Sequence, residues 1–123
     1  MNDLFDLHRT LAWFLIFSNA FVGIWAVAAQ WVEPLRHKVL WWATGVAQLS
    51  AFAIAIVGVL IVNRYELELD QFHALYGFST ILAVGILYSY RDSPGIGGRI
   101  HLLYGLGGLF IMGLGIRAMY LQT

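Results

Sequence analysis

The sequence predicts an all-α integral membrane protein: a single four-helix, up-down bundle. Three observations carry this reading. Of the 123 residues, 60% are hydrophobic and only 11% charged, whereas soluble domains carry about a quarter charged residues. The charges leave four uncharged windows, 10–32, 39–63, 71–90 and 100–116, of 23, 25, 20 and 17 residues; a helix crossing the bilayer core needs about 20 apolar residues. The segments between the windows are short, so consecutive helices must be antiparallel neighbours.

Helix one is expected over about 7–31, ended by Glu33-Pro34, because proline disfavours helix at the residue before it. Helix two follows over about 35–63. Residues 64–70 form a polar connection into helix three, about 71–90, and Glu66, Glu68 and Asp70 read as a solvated loop. Residues 91–98 are dense in turn formers, and helix four runs over about 99–121. One transmembrane domain then accounts for 1–123. Asp3 and Asp6 stand where a secretion signal would be cationic, and the first apolar window is too long for a signal-peptide core. All residues are therefore expected in the mature chain. The first and third loops hold Arg36, Lys38, Arg91 and Arg99, against Arg9, Arg64 and Arg117 on the other side. The positive-inside rule then places a multi-pass protein in the cell (inner) membrane with both termini extracytoplasmic.

Several function classes drop out. The absence of cysteine removes disulfide frameworks, thiolate metal sites and cysteine nucleophiles. A net charge of zero offers no field for nucleic acid. None of the windows contains Asp, Glu, Lys or Arg, the usual carriers of coupled ion transport. The membrane-embedded glutamate of small multidrug transporters has no counterpart, and Lys38, the only lysine, lies at a helix start rather than in a retinal pocket. No nucleophile–base–acid constellation is legible.

The four histidines carry the positive signal. His8, His37, His73 and His101 fall one per helix, each near a helix start. His8 and His73 are 65 residues apart, His37 and His101 64, which suggests a duplicated helical hairpin. Alternate helices run the same way, so His8 and His73 share one membrane side and His37 and His101 the other. Each pair sits on diagonal helices, roughly 12–14 Å apart for neighbours spaced at about 8–10 Å. That span suits two imidazoles with a haem iron between them. Helices three and four share a pentad, His73-Ala74-Leu75-Tyr76-Gly77 and His101-Leu102-Leu103-Tyr104-Gly105, in which Gly77 and Gly105 would clear a porphyrin. Helices one and two place Ala12 and Trp41 at the same offset, and Trp41 fits badly if it points inward. Arg9 and Arg64 on one side, and Arg36, Lys38, Arg91 and Arg99 on the other, are candidate propionate partners.

This pattern resembles the core of the cytochrome b561 fold, in which four consecutive helices each supply one histidine to hold two haems near opposite surfaces. His8-Arg9-Thr10-Leu11-Ala12 is also similar to the His-Arg-x-x-Ala signature that opens helices of haem A synthase, whose halves are comparable bundles. The resemblance implies haem b, one or two per chain, and transmembrane electron transfer, with His8 and His73 ligating one haem and His37 and His101 the other.

Structural readings compete at every position. A histidine in the first turn of a membrane helix is often interfacial; His37, between Arg36 and Lys38, is the weakest of the four. Trp13, Trp25, Trp31, Trp41, Trp42, Tyr65, Tyr88, Tyr90 and Tyr120 read mostly as an aromatic belt. Gly105, Gly107, Gly108, Gly113 and Gly115 also read as a close-packing surface, and the Gly95-Ile96-Gly97-Gly98 run is not a phosphate loop. Asn19 and Gln48 read as interhelical bridges, with a quinone contact as the alternative. The alternative function is a cofactor-free accessory or assembly subunit of a larger membrane complex. The tiny loops favour a membrane-protein partner or a second copy.

Overall fold

A computed structural model describes residues 2–66, 71–91 and 97–122, and every regular element in it is helical. The helices are α1 (Asn2–Trp31), α2 (Lys38–Tyr65), α3 (Gln71–Tyr90) and α4 (Ile100–Gln122), with short 3-10 turns at Glu33–Leu35 and Gly97–Arg99. All four are long and apolar enough to cross a membrane. The expected loop positions of Glu68, Asp70 and Gly95 lie outside the described residues.

Two boundaries differ from the sequence expectation. α1 begins at Asn2 rather than near residue 7, with Asp3 in its first turn, where a carboxylate suits the helix dipole. α2 begins at Lys38 rather than 35, because Glu33–Leu35 turns as a 3-10 helix and His37 stays extended as the cap. At the far end of α2, Glu66 adopts the left-handed conformation (φ 53°, ψ 42°) and its N–H closes on the Val62 carbonyl. The last turn of α2 therefore ends with that carbonyl bonded.

The helices form a ring, α1–α2–α3–α4, in which α1 packs on both α2 and α4 and α3 packs on α4. The contact between α2 and α3 is the loosest of the four seams. The tightest is α1 on α4. A Cβ added at Gly105 would lie 2.6 Å from the Val27 nitrogen and 2.9 Å from the Gly23 carbonyl oxygen, so only glycine permits this approach. In lipid, such small-residue seams replace the hydrophobic effect as the source of helix association. One buried cluster joins Leu15, Ile16, Ala51, Val84, Leu87, Tyr104 and Ile111, and a second joins Val22, Ala26, Ala29, Leu40 and Ala47.

The outer surface confirms the solvent. Phe17, Phe21, Leu49 and Phe78 are each at least 60% exposed, an apolar exterior that suits acyl chains rather than water. Trp13, Trp31, Trp42, Tyr88 and Tyr90 are exposed as a belt requires. Trp25 instead donates to the Leu35 carbonyl at 2.8 Å. Near the same end, Gln30 clamps two segments: its Nε2 donates to the Gly98 carbonyl at 2.8 Å, and its Oε1 accepts from the Leu102 N–H at 3.0 Å.

Candidate functional site

His8 is the seventh residue of α1 and is buried. Its ring rests on α2 at Gly58, where an added Cβ would stand 3.3 Å from the imidazole Cε1. His73, the third residue of α3, is half-buried, and its Nδ1 lies 2.9 Å from the Ala118 carbonyl oxygen of α4. A carbonyl can only accept, so this Nδ1 carries the proton and Nε2 keeps its lone pair. The two rings meet across the bundle diagonal with centroids 6.0 Å apart and planes tilted by 55°. The diagonal placement expected from sequence is therefore realised at this end.

That spacing has chemical meaning. A histidine nitrogen binds a metal at about 2 Å and lies about 1 Å from its ring centre, so two imidazoles on opposite faces of one ion have centres about 6 Å apart. The Nδ1 of His8 is buried with no hydrogen-bond partner and lies on the edge of the ring that faces α2, 3.7 Å from a Cβ added at Gly58. Among the described residues no group of three or more His, Cys, Asp or Glu comes together. A bare metal ion normally takes more protein ligands than two. Two imidazoles suit an ion whose remaining positions are filled by a macrocycle.

The opposite end is built differently. His37 caps α2: its Nδ1 accepts from the Val39 N–H at 3.1 Å, and the residue is exposed. The ring of His101 packs on Trp41 at 5.2 Å between centroids, and Trp41 in turn meets Tyr104 edge-on at 5.2 Å and 86°. Trp41 thus points at α4, the orientation that fits a porphyrin badly. His101 is partnered by an indole rather than by His37. Arg36 is also committed, its Nε donating to the Ala29 carbonyl at 2.6 Å and its Nη2 to the Gln30 carbonyl.

The remaining candidates divide similarly. A Cβ at Gly77 would meet nothing within 4 Å, so space is open one turn beyond His73. The room at Gly105 is taken by Val27 and Gly23, and this glycine serves helix packing rather than porphyrin clearance. Arg9 and Arg99 are both exposed, on opposite sides. Asn19 bridges as expected: its Nδ2 donates to the Leu15 carbonyl at 2.9 Å and to the Ala47 carbonyl at 3.3 Å. Gln48 does not, because its Nε2 has no partner.

Sequence reasoning missed three contributors. Ala118 acts through its backbone, which no side-chain pattern reveals. Gly58 lies outside the histidine register. Tyr104 donates to the Leu87 carbonyl at 2.8 Å, tying α4 to α3; its pentad marked the position but not the bond. No protein-family model, curated protein or solved structure matches the chain.

Proposed function

We propose that this chain is a small membrane b-type cytochrome carrying one bis-histidine haem between His8 and His73. The supporting observation is the 6.0 Å ring spacing across the bundle diagonal. When bound, the haem supplies reversible one-electron storage at this end of the membrane. His8 and His73 would hold the iron, the Ala118 carbonyl would fix the His73 tautomer, and Arg9, exposed one residue beyond His8, would be the cation available to a propionate. With the orientation expected from the loop cations, this end is extracytoplasmic and the membrane is the cell (inner) membrane. A membrane-protein partner or a second copy would cover the haem edge.

The reading narrows the two-haem expectation, because the His37 and His101 end is occupied by Trp41. Haem stoichiometry decides it. Purified protein should give about one haem per chain by pyridine haemochrome, with a Soret band that shifts and sharpens on dithionite reduction. Two haems per chain would restore the second site. A colourless protein that co-purifies with a larger complex would instead identify an accessory subunit.

A further inference from the structure

Gln30, the penultimate residue of α1, ties together the two turns at its end of the bundle. Its Nε2 donates to the Gly98 carbonyl and its Oε1 accepts from the Leu102 N–H, so the Gly97–Arg99 turn is held against the end of α1. Its own carbonyl accepts from Arg36, whose Nε also donates to the Ala29 carbonyl. Trp25 fixes the same turn by donating to the Leu35 carbonyl. Arg36, Lys38 and Arg99, which come from two separate turns, are thereby gathered at one end on hydrogen-bonded backbone. Of its five N–H donors, Arg36 uses two on these carbonyls and keeps three. Lys38 and Arg99 are exposed, and among the described residues no carboxylate pairs with any of the three.

Charge and depth decide what meets this surface. In the sequence this end carries Arg36, Lys38, Arg91 and Arg99 against Glu33 and Asp92, whereas the other carries Arg9, Arg64 and Arg117 against five carboxylates. Trp31 closes α1 and Trp42 is the fifth residue of α2. At 70% and 75% exposed, they are the two most exposed large apolar side chains among the described residues. Indoles presented in this way settle at headgroup level, which sets the cations between them at the level of the lipid phosphates. A guanidinium offers a phosphate paired N–H donors, and an ammonium adds a point charge. Each basic side chain at an anionic membrane surface is worth about fivefold in association. A zwitterionic headgroup, with its own ammonium beside the phosphate, gains far less. We infer that Arg36, Lys38 and Arg99 form a binding site for the phosphate headgroup of an anionic phospholipid.

This site lies at the end of the bundle opposite His8 and His73, so it stands apart from the proposed haem. The test uses the full chain in neutral detergent, mixed with phosphatidylglycerol or with phosphatidylcholine of the same acyl chains, and counts retained lipid by native mass spectrometry. One phosphatidylglycerol per chain should be held at least about tenfold more tightly than phosphatidylcholine. Lys38→Gln and Arg99→Gln should each weaken phosphatidylglycerol about fivefold and leave phosphatidylcholine unchanged. Neither side chain makes a hydrogen bond or ion pair among the described residues, so these variants change charge without removing a contact of the fold. Arg117→Gln removes the same charge from the opposite end and should alter nothing. Glycerol 3-phosphate, a headgroup anion without acyl chains, should fail to displace the lipid. Equal retention of the two lipids, an equal loss from Arg117→Gln, indifference to Lys38→Gln and Arg99→Gln, or displacement by glycerol 3-phosphate would overturn the proposal. Haem content of the same preparations reads the His8–His73 site separately, so either can fail alone.

Discussion

The two ends of this bundle carry the same sequence device and use it differently. At one end His8 and His73 face each other across the diagonal with ring centres 6.0 Å apart. At the other, His37 caps a helix and His101 lies against an indole. The shared pentads show the same divergence: the glycine after His73 opens onto free space, and the glycine after His101 is pressed against the α1 backbone. Equal spacing therefore does not imply equal sites. The residue one turn beyond the first histidine of each pair differs as well, Ala12 in α1 and Trp41 in α2. The indole lies against His101 and Tyr104.

The comparison breaks most severely at the histidines themselves. His8→Ala and His73→Ala should each drop haem from about one per chain to below a tenth of that, whereas His101→Ala should leave it unchanged, measured by pyridine haemochrome. Equal losses at both ends would erase the distinction. Next comes the pentad glycine. Gly105→Ala forces a Cβ to 2.6 Å from the Val27 nitrogen and should destabilise the bundle by about 1–3 kcal/mol. Gly77→Ala meets nothing and should stabilise it by up to about 1 kcal/mol through helix propensity. Unfolding titrations in detergent compare the two.

Smaller effects sharpen the picture. Gln30→Ala removes both bonds that clamp the Gly98 carbonyl and the Leu102 N–H, and should cost about 1–2 kcal/mol without moving the haem spectrum. His37→Ala should cost about 1 kcal/mol, the worth of a helix cap, with haem content intact; loss of haem would return His37 to the ligand set. The mildest is Gly58→Ala. Its Cβ, 3.3 Å from the His8 Cε1, should shift the ring by a few tenths of an ångström and lower haem affinity severalfold, read by haem titration of the apoprotein.

Much of the fold was legible because lipid imposes it. With no water to satisfy peptide groups, an uncharged window of about 20 residues has little choice but to become a helix, and short connections force antiparallel neighbours. The turn at Glu33–Leu35 and the later start of α2 were not legible, since they depend on His37 spending its ring on the Val39 N–H. The site was half legible. Helix direction alone put His8 with His73 on one side, a matter of counting. Whether two rings then meet depends on which way each helix is rotated about its axis, and these helices are apolar nearly all round. Their own sequences carry little to set that rotation.

By itself, then, the sequence determined four crossings, their antiparallel order and the level of each histidine in the membrane, because hydration energy acts on each segment separately. Only the tertiary structure decided which histidines face each other, that Gly105 packs while Gly77 stands open, that Asn19 bridges while Gln48 is left unpartnered, and that a cleft remains between α2 and α3. Those outcomes follow from close packing between helices. They depend on the shapes of residues distant in sequence, such as Val27 against Gly105 and Trp41 against His101.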